Sequence, residues 1–173
     1  LQAMPEILKQ YPQTKVYVAG DVITRYKSLM DKIKISSYGK YCLDLIKQSG
    51  LEDKVHFVGR LNATEMCERY VRSHVFVSPS SIENSPNSVG EAMLLGMPVV
   101  SSDVGGVANM LTHGKEGILY PYHQVDALAD AVCQIFADKE KAVCMGQNAR
   151  KHAQITHDGR TNYARLMEIY QQI

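Results

Sequence analysis

The feature that most constrains the fold is an alternation of short apolar runs with longer segments of helical periodicity. Val16–Ala19 ends at Gly20-Asp21, Val55–Val58 ends at Gly59, Val75–Val77 ends at Ser78-Pro79, and Val99-Val100 ends at Ser101-Ser102-Asp103. Gly117–Tyr120 is a fifth, weaker run. Each is near-continuously apolar, the pattern of strands in a parallel sheet covered by helices on both faces. Helical patterns fill the intervals at 23–49, 64–73, 86–96 and 105–112, and the tail from 124 to 173 reads as consecutive helices. The alternation predicts an α/β, Rossmann-like domain built on a doubly wound parallel sheet. Ligands of such sheets collect outside the carboxyl ends of the strands. Those ends carry Gly20-Asp21, Gly59-Arg60, Pro79 to Asn87, and Asp103 to Gly106.

The bulk numbers narrow the function classes. A chain of 173 residues suits one ordinary domain with a full core. A formal net charge of +1 removes the main electrostatic reason to expect nucleic acid or an anionic membrane as partner. Cys42, Cys67, Cys133 and Cys144 form no CxxC pair and fall in helical stretches, so they read as reduced thiols of a cytoplasmic protein. The six histidines show no metal-ligand spacing, and no apolar run reaches membrane-span length. The chain opens inside an amphipathic helical pattern (Met4, Ile7, Leu8, Tyr11), as expected of a fragment of something longer.

The chemistry is concentrated between Ser78 and Val100. A strand ends at Val77, a polar loop follows, and Ser85-Pro86 predicts a helix start, with serine as cap and proline in the first turn. The helix should stop near Gly96, before Pro98 opens the next strand. Amides of a first turn have no intrahelical partner, and with the positive end of the helix dipole they suit a phosphate. Asn84, Ser85, Asn87 and Ser88 add small donors and acceptors for sugar hydroxyls and phosphate oxygens. The reading is that a diphosphate lies at the amino end of helix 86–96. Glu83 and Glu91 flank that start, eight residues apart; Glu91 shares a face with Asn87, while Val89, Ala92, Met93 and Gly96 face the core. Alone, such a pair of glutamates is commonplace.

In context the segment resembles the E-x7-E signature of the retaining GT-B glycosyltransferases of family 4, or group 1. Further pieces match in order along essentially the whole chain: Gly20-Asp21, Val55 to Arg60, Ser102-Asp-Val-Gly-Gly106, His113 to Leu119, Asp126 to Ala129, and Met145 to Arg150. The resemblance implies that residues 1–173 are the C-terminal, nucleotide-sugar-binding half of a GT-B fold. The parent enzyme would move a hexosyl unit from a nucleotide diphosphate sugar to a saccharide or lipid-linked acceptor. It also implies roles. Glu91 would accept bonds from the ribose hydroxyls, and Glu83 would sit beside the reacting carbon of the donor sugar as the catalytic carboxylate. The segment Asn84, Ser85, Pro86, Asn87, Ser88 and Val89 would take phosphates and sugar hydroxyls, and Gly59, Arg60 and Leu61 would line the base. No DxD motif occurs, so neither metal nor cofactor is expected. The upstream phosphate-clamp strand and the acceptor-binding N-terminal domain of the family lie outside this chain. The implied location is cytoplasmic, with the parent peripheral to the inner face of a membrane. An epimerase or hydrolase of GT-B type, or a non-catalytic nucleotide-sugar module, are the alternatives.

The remaining candidates have plainer readings. Asp21 suits a turn, His113 suits a loop-stabilising role, and Gly105-Gly106 reads as a close-approach turn rather than a dinucleotide motif. Asn109 stands where the family often has an acid and is assigned no role. The apolar stripe Tyr163, Leu166, Met167, Ile169 and Tyr170 is expected to pack on the domain itself.

Overall fold

The computed structural model of the chain describes residues 1–23 and 36–172. The part of the 23–49 helical pattern from 24 to 35 lies outside the described residues. The rest divides into two compact units, Leu1–Cys67 and Glu68–Ile173.

In the first unit, α1 (Met4–Gln10) precedes β1 (Val16–Ala19), then come α2 (Ser37–Gln48) and β2 (Val55–Gly59). Ser36 caps α2 by accepting from the Gly39 amide at 3.0 Å. Strands β1 and β2 pair in parallel, Val16 opposite Val55 and Val18 opposite Phe57. Burial on both faces does not hold for β1, whose residues alternate between half-buried and exposed, with Tyr17 at 44%. α3 (Ala63–Val71) begins with a reciprocal cap: Asn62 Oδ1 accepts from the Glu65 amide, and Glu65 Oε2 accepts from the Asn62 amide.

The second unit holds three parallel strands in the order β3 (Phe76–Ser78), β4 (Val99–Ser102), β5 (Ile118–Tyr120). Here the sequence pattern is met in full by β4, every residue of which is buried, and in part by β3 and β5. α4 (Asn87–Leu94) joins β3 to β4, and the short α5 (Val107–Met110) lies between β4 and β5. α6 (Val125–Ala137), α7 (Lys139–Thr156) and α8 (Gly159–Tyr170) complete the unit. The core is built from Val89, Ala92 and Met93 of α4, Val99 and Val100 of β4, Val107 and Leu111, with Met145, Ala149 and Ala153 of α7. The three α7 residues recur at i, i+4 and i+8, one helical stripe.

Glu116 is a buried charge within this core, 6% exposed. Its carboxylate accepts from the Thr112 amide at 2.7 Å and from His152 Nδ1 at 2.9 Å, which ties the 112–116 turn to α7. Burial pushes its proton affinity up, yet the bonds from Thr112 and His152 outweigh it and hold the carboxyl below its ordinary range. His113 Nδ1 accepts from the Leu119 amide at 3.0 Å, the loop-stabilising role expected of it.

The stripe on α8 departs from expectation. Tyr163, Leu166, Met167, Ile169 and Tyr170 are 65, 45, 39, 49 and 61% exposed, and no residue of α8 is buried. Asp158 caps a new helix here, accepting from the Thr161 amide, and no element among the described residues covers the face that results. Among the described residues, no helix is long and apolar enough to cross a membrane.

Candidate functional site

The glutamate-bearing loop, residues 79–86, leaves the carboxyl end of β3 and runs into α4. A polar loop of this kind would wander unless its backbone were held, and hydroxyls at the end of the neighbouring strand hold it. Ser102 Oγ donates to the Ser80 carbonyl at 2.6 Å, and Ser101 Oγ donates to the Ser78 carbonyl at 3.3 Å. Both serines are fully buried. Further along, the Gly106 amide points at the Glu83 carbonyl, 3.4 Å away, and Ser85 Oγ lies 3.6 Å from Met110 Sδ.

The paired glycines act through what they lack. Gly105 sits at φ +53°, and a Cβ there would fall on the Glu83 carbonyl; one on Gly106 would fall on the Asn84 carbonyl. The Gly105-Gly106 turn is therefore in backbone contact with Glu83 and Asn84, the close approach that the sequence suggested. Sequence reading had not connected it to the glutamate loop, nor identified Ser101 and Ser102 as its clamp. The available signal was a pair of hydroxyl residues ending an otherwise apolar strand.

At the helix start the expectation needs correcting. Pro86, not Ser85, occupies the N-cap, with φ −69° and ψ 116° and no side-chain cap bond, and α4 begins at Asn87. The proline carbonyl accepts the first helical bonds, from the amides of Val89 at 3.0 Å and Gly90 at 3.4 Å. Ser85 stays in the loop, with its hydroxyl turned toward Met110 instead of toward the helix. The amides of Asn87 and Ser88 come before the first helical donor and are left for the loop side.

The predicted residues of the second unit thus lie together on one loop and one helical turn. Glu83 and Ser88 are half-buried, Asn84, Ser85, Asn87 and Glu91 exposed, and Pro86 and Val89 buried. The core-facing assignment of Val89, Ala92 and Met93 holds. Among the described residues the Glu91 side chain reaches one partner, the Tyr70 hydroxyl at 3.5 Å.

Gly59, Arg60 and Leu61 belong to the first unit, at the carboxyl end of β2. Arg60 is committed there to Asp21 at the end of β1, with Nε and Nη2 each 3.0 Å from Oδ1. Asp21 is accordingly a partner of Arg60. Both side chains are largely exposed, so the pair contributes little to stability and serves to orient the guanidinium.

Comparison with known proteins gives the family. The sequence profile of the family "Glycosyl transferases group 1" matches residues 1–152. A lipopolysaccharide core biosynthesis mannosyltransferase, LpcC, from Rhizobium leguminosarum bv. viciae is 29% identical over 152 residues, covering 88% of this chain and 40% of the relative. Sucrose-phosphate synthase from Thermosynechococcus elongatus superposes with a TM-score of 0.82 at 27% identity, over 99% of this chain and 41% of that one. HepE from Anabaena, solved in complex with UDP, gives a TM-score of 0.83 at 24% identity, over 99% and 44%. The chain thus spans about two fifths of the length of the proteins it matches. Its fold is α/β with parallel strands, of the kind found in GT-B glycosyltransferases. A match over residues 1–152, nearly the whole chain, establishes that this protein belongs to the group 1 glycosyl transferase family.

Proposed function

We propose that residues 1–173 form the nucleotide-sugar-binding domain of a retaining hexosyltransferase. Its donor is a nucleotide diphosphate sugar, and its saccharide or lipid-linked acceptor is held by a separate N-terminal domain of the same protein. The observation that carries this reading is the clamped 79–86 loop delivering Glu83 and the free first-turn amides of α4 to one place.

Transfer requires the bond between the anomeric carbon and the diphosphate to break, which places positive charge on the sugar and negative charge on the leaving group. The Asn87 and Ser88 amides, with the dipole of α4, favour charge building on a diphosphate there without rearranging. Glu83, on a loop that the glycine pair immobilises, supplies a fixed carboxylate toward oxocarbenium-like charge and a sugar hydroxyl. The attacking acceptor hydroxyl approaches from the face the diphosphate leaves and passes its proton to the departing diphosphate oxygen as the new glycosidic bond forms. Glu91 takes the ribose hydroxyls as a charge-assisted acceptor. In the first unit, main-chain groups of Gly59, Arg60 and Leu61 take the base. No metal is required in this scheme, because amides and the helix dipole meet the diphosphate. The parent works at the cytoplasmic side, peripheral to the membrane where its acceptor is lipid-linked.

The test is calorimetric titration of the full-length protein with UDP, GDP and ADP at low salt, alongside Glu91→Ala. Binding of one nucleotide, measurably weakened by the substitution, supports the reading and names the base. Absence of binding by all three overturns it. Glu83→Gln separates a transferase from a binding module: turnover should fall at least 100-fold while nucleotide affinity stays within about twofold.

A further inference from the structure

We propose that Tyr70 is a positioning residue for Glu91, and that its hydroxyl sets how strongly the nucleotide site distinguishes ribose from a sugar lacking the 2′ and 3′ hydroxyls. The proposal rests on the assignment of Glu91 to the ribose. Tyr70 lies near the end of α3 and is only 3% exposed. Its ring is wedged edge-on against Phe76 of β3, with centroids 5.4 Å apart and planes at 73°. A ring held this way has one hydroxyl position. That hydroxyl lies 3.3 Å from the Ser88 carbonyl and 3.5 Å from Glu91 Oε2, so it reaches the first turn of α4 and the carboxylate at once.

Glu91 needs such a contact. It is exposed, and among the described residues no lysine, arginine or histidine forms an ion pair with it. A glutamate free to turn in solvent loses rotamer entropy when a ligand fixes it. A phenol donating to Oε2 removes part of that freedom before the ligand arrives and leaves Oε1 and the remaining lone pairs for two neighbouring hydroxyls. The phenol has one hydrogen, shared between the Ser88 carbonyl and Oε2 in the empty site, and it turns fully to the carboxylate when a ribose fixes Glu91. Long contacts of this kind in an empty site shorten on binding. A purely structural hydroxyl, bonded to the Ser88 carbonyl alone, would on removal affect ligands with and without ribose hydroxyls equally.

The experiment compares the tightest binder among UDP, GDP and ADP with its 2′,3′-dideoxy analogue, titrated into the full-length protein and its Tyr70→Phe and Glu91→Ala variants. Tyr70→Phe should weaken the ribonucleotide about threefold to tenfold and leave the dideoxy analogue unchanged. Glu91→Ala should erase the preference between the two, and adding Tyr70→Phe to it should change nothing further. Equal losses for both ligands in Tyr70→Phe mean a structural role and overturn the proposal. A preference erased by Glu91→Ala and untouched by Tyr70→Phe overturns it while leaving Glu91 on the ribose. A preference that survives Glu91→Ala removes the Glu91 assignment and this proposal together.

Discussion

Two carbonyls, those of Glu83 and Asn84, occupy the places where side chains on Gly105 and Gly106 would begin. Gly106 is the cleaner position to test, because its φ of −86° suits any residue and only the contact would change. Gly106→Ala is expected to cost about 1–3 kcal/mol in urea unfolding, the usual penalty of overpacking against backbone. It should also lower transfer by the full-length protein about tenfold or more, since a displacement on the order of 1 Å at a reacting centre is enough. A variant that loses stability and keeps full turnover would separate the loop from the chemistry. At this scale the two glutamates, the proline and the small polar residues were legible in the sequence, and their neighbours were not. Ser102 stands 22 residues from Ser80, and Tyr70 stands 21 from Glu91, distances that only chain folding closes.

α4 and the turn that ends it meet α7 closely at two glycines, and the two contacts differ in kind. A Cβ on Gly146 of α7 would fall on the Gly96 carbonyl, in the turn that ends α4. That carbonyl is main chain and cannot step aside. A Cβ on Gly90 would instead meet Nε2 of His157, the end of an exposed side chain able to rotate away. Gly146→Ala is therefore expected to destabilise by about 1–3 kcal/mol. Gly90→Ala should be neutral or gain up to about 1 kcal/mol, because alanine favours the helix interior. Chemical denaturation of the two variants at pH 7 decides it, and equal costs would show that His157 is as immovable as backbone. Strands were the elements read most accurately from sequence, since continuous apolar runs specify them locally. The α4 start was displaced by one residue from Ser85 to Pro86, because the choice between two capping geometries depends on the tertiary contact that takes the serine hydroxyl to Met110.

Over the whole molecule, the uncovered face of α8 is the feature with the largest consequence for solution behaviour. Contiguous apolar surface favours association. This chain by itself is expected to self-associate with rising concentration in sedimentation experiments. Leu166→Glu combined with Ile169→Glu should return it to monomer, with stability changed by no more than about 0.5 kcal/mol because neither side chain is buried. Persistence of the association would place it elsewhere on the surface. The sequence by itself determined the class of fold, the order of its strands and the segment bearing Glu83 and Glu91, because apolar periodicity and helix-start residues act over a few neighbours. Tertiary structure decided the rest: that Ser101, Ser102 and the glycine pair clamp the glutamate loop, that Tyr70 touches Glu91, that Arg60 is taken by Asp21, and that α8 stays bare. Those outcomes turn on which surfaces meet across tens of residues, and no local pattern of side chains encodes a meeting that the path of the chain must first bring about.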